Sequence, residues 1–436
     1  MQPIPLSFQQ RFHWDNAHRL SDLNLNFPFS LFITGPLNIE RLRKSFETVV
    51  RRHGALRTRI VVAGGDPRQV VDAPGRFRLE VLPRPHDLTG EVEGYLNGPF
   101  ALVGGRLFRA RLLRLSSREH ILLVCAHHLI MDAYSVSLLS DELWDCYSSR
   151  SPALPVLATQ YSDYAIRQTQ THATWLESHA RHWSERLANA VPLRLPAERC
   201  VAVEAATSVG TVQIEFEGKL AAALDGAARR CKTVPAMLVL TAFVAELSRW
   251  SQQRDFVVPL VFSGRDDPDS VNLIGFFSYV LLLRMELEGA QSFSALQDRV
   301  HREFCLACAR QDHGRVVTRL LADLPAREGM KLFSTSFNWL SMSSGELAGL
   351  PSRDILHRLQ GDLEISPFAF RFLPRYPGCR DGSRPSPISE VPALGLQVTQ
   401  GNALEASLLY SVGLLSPRSI EAFAQSLLLT LEKAVA

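Results

Sequence analysis

Apolar and polar positions change their period repeatedly along the chain, and each change marks an element. Phe29 to Thr34 predicts a strand, after which Asn38 is placed to cap a helix running to about Arg52. Leu42, Phe46, Val49 and Val50 fall on one face of that helix. Arg57 to Val62 and Arg68 to Asp72 flank Gly64-Gly65, a hairpin pattern. Leu107 to Leu115 and Ile121 to Ala126 predict two strands around the polar turn Ser116 to Glu119, and Tyr134 to Tyr147 has helical spacing. A long amphipathic stretch from Tyr161 to Ala190 ends at Pro192 and Pro196.

Beyond those prolines the alternation begins again. Val212 to Phe216 predicts a strand, helices follow at 218–231 and 235–250, and 256–262 predicts a buried strand. Further strands are expected near 279–287, 332–340, 394–399 and 404–410, with helices at about 292–311 and 417–435. The segment 373–390 is rich in Pro, Gly, Ser and Arg and predicts an exposed loop. No repeat of 20–50 residues is visible. This order of elements predicts an α/β protein of two lobes, residues 1–190 and 191–436, and a length of 436 residues allows about two to three domains.

Composition narrows the function classes. Hydrophobic residues make up 46% and charged residues 21%, which excludes a disordered or fibrous chain. Lys+Arg 47 against Asp+Glu 44 leaves a net charge of +3 and no long basic run, so nucleic acid is not an expected partner. The start of the chain lacks a basic segment followed by an apolar one, so no secretory signal is expected. The apolar segments near Leu238 and Leu281 are interrupted by Glu246 and Arg284, short of the roughly 20 residues needed to cross a bilayer. Seven scattered cysteines fit a reducing compartment, and Cys305 and Cys308 form a single C-x-x-C with no second pair to complete a zinc site. A cytoplasmic protein is the expectation.

The candidate chemistry lies in Val124-Cys125-Ala126-His127-His128-Leu129-Ile130-Met131-Asp132-Ala133-Tyr134-Ser135. An apolar strand delivers two histidines at its end, and a helix begins beyond an aspartate. A partly dry imidazole at such a strand end can accept a proton from an attacking amine or hydroxyl near neutral pH. The aspartate can orient the ring or brace the loop through an arginine. Spacing alone leaves three readings open: a catalytic base, a satisfied polar residue, or the start of a metal site. Neighbouring residues point apart and no third histidine is close in sequence, which weighs against the metal.

His-His-x-x-x-Asp resembles the core motif of the condensation domains of nonribosomal peptide synthetases, in the chloramphenicol-acetyltransferase-like superfamily. Other segments are similar to that family's motifs in the family's order. Leu6-Ser7-x-x-Gln10-Arg11-Phe12-x-Trp14 resembles the opening motif and Arg52-His53-x-x-Leu56-Arg57-Thr58 the second. Tyr161-Ser162-Asp163-Tyr164-Ala165 resembles the fourth, and Asn272 to Phe277 with Leu283-Arg284 the fifth. Gln311-Asp312 and Phe337-Asn338-Trp339 resemble later ones.

The resemblance implies two chloramphenicol-acetyltransferase-like lobes in a V-shaped pseudo-dimer, with a central substrate tunnel and the His-His loop midway along it. It implies an acyltransferase that takes an acyl chain from the phosphopantetheine thioester of an acyl or peptidyl carrier protein and forms an amide or ester, chain release included. His128 would be the general base and His127 structural. Asp132 would brace the loop by pairing with an arginine, Arg284 first and Arg57 second. Tyr279, Ser336 and Asn338 are candidates for the tunnel and acceptor side, and a backbone N–H near the His loop or the Ser336 hydroxyl is a candidate oxyanion donor. No metal and no cofactor of its own is implied, because the carrier presents the phosphopantetheine.

The sequence departs from the family pattern at several points. Ala133 replaces a glycine, Ser278-Tyr279-Val280 replaces Val-Asn-Thr, and the motifs around His313 to Arg315 and Arg327 to Leu332 have drifted. An intact catalytic loop beside altered substrate-facing motifs implies chemistry on unusual substrates. Without adenylation motifs or a carrier serine motif, the expectation is a freestanding monomer whose carrier docks in trans and whose acceptor is a small molecule or carrier-bound. An acyl-CoA-dependent transferase is the second enzymatic reading, although the Asp-Phe-Gly-Trp-Gly of its plant-type branch is absent. A non-catalytic recruitment module is the third, and modules of that kind lose the histidines that this chain keeps.

Overall fold

The computed structural model describes residues 3–19, 25–149, 154–170, 173–191, 193–196, 209–216, 218–287, 292–311, 334–341, 364–367, 393–400 and 404–436. The expected loop at 373–390 and the drifted segments at 313–315 and 327–332 lie outside them. Among the described residues no single helix is long and apolar enough to cross a membrane.

Numbered in chain order, the strands are β1 (Ile4–Pro5), β2 (Asn26–Thr34), β3 (Thr58–Ala63), β4 (Asp66–Val71), β5 (Glu80–Pro83), β6 (Phe108–Arg114), β7 (Glu119–His127), β8 (Val209–Glu215), β9 (Asp255–Phe262), β10 (Tyr279–Glu286), β11 (Thr335–Ser341), β12 (Glu364–Pro367), β13 (Leu394–Gln400) and β14 (Leu404–Ser411). They form three sheets, in the orders β1-β4-β3, β12-β2-β7-β6-β5 and β10-β9-β11-β13-β14-β8. The helices are α1 (Phe8–Arg19), α2 (Ile39–Arg52), α3 (Leu88–Asn97), α4 (Ala133–Ser148), α5 (Tyr161–Thr169), α6 (Ala173–Leu187), α7 (Gly218–Arg230), α8 (Pro235–Ser251), α9 (Phe293–Ala309) and α10 (Pro417–Val435). The architecture is mixed α/β, as expected.

Local chemistry accounts for many boundaries. Asn38 accepts a hydrogen bond from the Arg41 amide and starts α2, whose buried face is Leu42, Phe46, Val49 and Val50. Gly64 and Gly65 turn the β3–β4 hairpin at φ 60° and 82°, a left-handed pair that L-residues with a Cβ rarely adopt. The single amphipathic stretch expected over 161–190 is instead two helices. At the break the Thr169 hydroxyl donates to the Ile166 carbonyl at 2.8 Å, a side-chain bond that competes with the helix ladder. Helices α1 and α3 and strands β1, β5 and β12 were not expected from the pattern.

Two large cores result, one built mainly on the five-stranded sheet and one on the six-stranded sheet. The later half of the chain nevertheless enters the first of them. Leu273, Ile274, Phe276 and Phe277 pack with Leu129, Ile130, Met131 and Tyr161, and β12 adds an antiparallel edge strand to β2. This return of the 273–277 segment is what positions the site.

Candidate active site

Strand β7 is buried along nearly its whole length between β2 and β6, so its end is fixed before the histidines are reached. The His127 amide donates to the Leu107 carbonyl at 2.9 Å and the His128 amide to the Leu25 carbonyl at 2.8 Å. A short 3-10 turn over His128–Ile130 follows, and then α4, with Asp132 as its N-cap. Ala133 is the first residue of α4 and is not among the residues of positive φ, so alanine fits there without strain.

The two imidazoles are held in opposite ways. His127 is 4% exposed, and its Nδ1 accepts the Leu129 amide at 3.2 Å, capping the turn. Burial, followed by the neighbouring His128, pushes its pKa down to about 3, so it is neutral. His128 Nδ1 lies 2.8 Å from the Met131 carbonyl oxygen. A carbonyl can only accept, so Nδ1 carries the proton and Nε2 keeps the basic lone pair. Phe276, Phe27 and His13 pack around the His128 ring, with centroids 4.1, 4.4 and 4.7 Å away. Burial lowers the His128 pKa, while the Met131 carbonyl and the Asp132 charge partly oppose the shift.

Asp132 does brace the loop, but its arginine is Arg265. Arg265 Nη2 donates to Asp132 Oδ1 at 3.0 Å, and both side chains are almost fully buried. Asp132 also accepts the amides of Ser135 at 2.8 Å and Phe277 at 3.0 Å. Arg265 reaches on to the Leu273 carbonyl and the Ser135 hydroxyl, and its guanidinium lies over the Tyr134 and Phe277 rings. Arg284, the expected partner, pairs with Asp255 at 2.8 Å across β10 and β9. Arg57 donates to the backbone carbonyls of Val50 and Asp72. Neither arginine is the brace.

The segments that resemble the opening, second and fourth motifs converge on this same loop and on 273–277. Gln10 donates to the Leu129 carbonyl at 2.8 Å, and Gln9 to the Phe277 carbonyl at 3.0 Å. His53 bridges Glu142 at 2.7 Å and accepts the Ile274 amide at 3.4 Å, and Arg52 pairs with the same Glu142. The Tyr161 hydroxyl donates to the Phe276 carbonyl at 2.6 Å, and Ser135 exchanges two hydrogen bonds with Gly275.

Gly275 is required by this packing. A Cβ there would stand 2.1 Å from Tyr161 Cδ2, on a ring that is pinned and buried. Gly275→Ala is expected to destabilise the fold by about 2–3 kcal/mol through overpacking. Chemical denaturation checks this, and an unshifted midpoint would mean that the Tyr161 ring yields without cost.

The remaining candidates lie further along the second sheet. Tyr279 opens β10, buried, with its ring 5.7 Å from Phe262. Ser336 and Asn338 are half-buried on one side of β11, either side of the buried Phe337, which pairs with Leu260 of β9. Sequence reasoning missed Arg265 and His13. Among the described residues no group of three or more His, Cys, Asp or Glu side chains is gathered as metal ligands would be.

A family model described as Condensation domain matches residues 2–360. Malpibaldin synthetase of Mortierella alpina is 31% identical over 373 residues, covering 81% of this chain and 7% of that protein. The chain spans 6%, 9% and 7% of the length of three such curated relatives. Among solved structures, the condensation domain from Monacolin K polyketide synthase MokA aligns with a TM-score of 0.78 at 19% identity, over 100% of this chain and 98% of that one. The X-domain in its complex with OxyB from teicoplanin biosynthesis aligns with a TM-score of 0.74 at 21% identity, over 100% and 94%. At these identities the structural likeness is one of fold.

Proposed function

The chain belongs to the condensation-domain family, and from that premise we propose that it transfers an acyl chain from a carrier protein's phosphopantetheine thioester to an amine or hydroxyl acceptor. The observation that carries this reading is the His128 Nδ1 to Met131 carbonyl bond, which leaves Nε2 as a neutral base on a rigid loop. The acceptor's N–H or O–H proton passes to Nε2 as its nitrogen or oxygen attacks the thioester carbonyl. When the carbon–sulfur bond then breaks, the departing thiolate recovers that proton from His128, and the products are an amide or ester and a free pantetheine thiol. The Asp132 charge favours the transient imidazolium, in the same sense as its effect on the resting pKa. Carrier docking in trans brings the thioester, and the protein needs no cofactor of its own.

The test is intact-protein mass spectrometry of an acyl-loaded carrier incubated with the protein and a panel of small amines, alcohols and aminoacyl carriers. Acceptor-dependent loss of the acyl mass, matched by the coupled product, is the expected result. The X-domain likeness favours a second reading, a non-catalytic recruitment module. Tight carrier binding with no acyl loss to any acceptor would establish that reading instead.

A further inference from the structure

His13 has no part in the step above, yet it stands against the proposed base. Its ring centroid is 4.7 Å from that of His128 and 4.7 Å from that of Phe276, and the latter two rings are 4.1 Å apart. The three rings therefore form one mutually packed cluster that includes the base. Nδ1 of His13 is buried with no hydrogen-bond partner among the described residues. A buried polar atom left unpaired is destabilising, and a phenylalanine or leucine would fill this aromatic corner without that penalty. With Nδ1 sealed off, Nε2 is the nitrogen that His13 can offer a ligand. Burial and the neighbouring His128 also keep this ring uncharged, which preserves its capacity to accept a hydrogen bond.

We propose that His13 is an acceptor-side residue that gives the incoming nucleophile a second hydrogen bond beside His128 and thereby favours a primary amine over an alcohol. The inference rests on the acyl-transfer reading and deepens it. A neutral primary amine carries two N–H bonds. One proton passes to His128 Nε2 as the carbon–nitrogen bond forms and goes on to the pantetheine thiolate. The other remains on nitrogen in the product amide, and His13 can hold it throughout without exchanging a proton. A hydroxyl has one proton, which His128 takes, and it offers His13 none. Two neutral imidazoles side by side thus match an amino group better than a hydroxyl. Gln9 and Gln10, one turn earlier on α1, hold the Phe277 and Leu129 carbonyls, so the same face of the helix that carries His13 is fixed to the loop of the base.

The experiment compares kcat/KM for an amine and the alcohol of the same carbon skeleton, 2-phenylethylamine and 2-phenylethanol or the corresponding pair from the acceptor panel that the wild type uses best. The variants are His13→Phe, which keeps a ring against His128 and Phe276, and His13→Gln, which restores a hydrogen-bond acceptor. Thermal melting confirms that each is folded. The amine-to-alcohol ratio is expected to fall about 10-fold in His13→Phe and to recover in large part in His13→Gln. A ratio that stays constant in His13→Phe, with both substrates affected in parallel or neither, would assign His13 to packing and overturn the inference alone. A wild-type preference for the alcohol would do the same. Transfer to no member of the panel by the wild type would overturn the acyl-transfer reading, and this inference with it.

Discussion

His128→Ala is expected to lower acyl transfer by about 100-fold or more while leaving the protein folded. Its side chain is held by the Met131 carbonyl, and the loop has other anchors that do not involve it. His127 caps the turn, Gln10 holds the Leu129 carbonyl, and Asp132 ties the loop to 265–277. The loss should be greater with hydroxyl acceptors than with amines, because a hydroxyl is the weaker nucleophile and relies more on its base. The same group sets the acid limb of the pH profile. Its pKa lies below the ordinary imidazole value of 6.5 because of burial, so the neutral form of His128 predominates at pH 6.5. The inflection of that limb should therefore lie below 6.5. A pH–rate profile of kcat/KM checks this, and an inflection above 6.5 would point to another group.

Arg265→Ala carries the largest expected effect on stability. It leaves the Asp132 carboxylate buried with only the Ser135 and Phe277 amides, and removing one partner of a buried pair costs about 3–5 kcal/mol. Part of that loss comes from the backbone carbonyl of Leu273, which also loses its donor. Urea denaturation should show the fall in midpoint, and a midpoint equal to wild type would mean that water or a rearranged loop replaces the guanidinium. Asp132→Asn should resemble Arg265→Ala, since it leaves the guanidinium without its anion. Both variants will lose activity, but through the 265–277 segment rather than through proton transfer. Their losses should follow the loss of structure on heating, whereas that of His128→Ala should not.

The contrast between His128 and Arg265 shows what the sequence makes legible. Strand β7, its histidines and the Asp132 cap are contiguous, so an apolar run, a polar turn and a helix pattern define them together. The brace is not local. Arg265 lies 133 residues from Asp132, within Gly264-Arg265-Asp266-Asp267-Pro268, whose composition is that of an exposed turn. It is buried only because 265–277 folds back into the first core. Arg284 was the expectation because it lies in a segment that resembles a family motif, but its register sets it near Asp255 on β9. His13 was overlooked because α1 is largely polar and gives no apolar period. The available signal was its spacing of three and four residues from Gln10 and Gln9, which places all three side chains on neighbouring turns. Strand β12 pairs with β2 at residues 364–367, far from its partner in sequence and in a stretch without a readable pattern.

The central claim is that His128 acts as the base in acyl transfer from a carrier thioester, and one comparison tests it most directly. Single-turnover loss of the acyl group from a loaded carrier protein, followed by intact-protein mass spectrometry, would be measured for the wild type and for His128→Ala at matched melting temperature. The account predicts acceptor-dependent loss by the wild type and a rate at least about 100-fold lower in the variant. A folded His128→Ala protein that transfers at nearly the wild-type rate would contradict it.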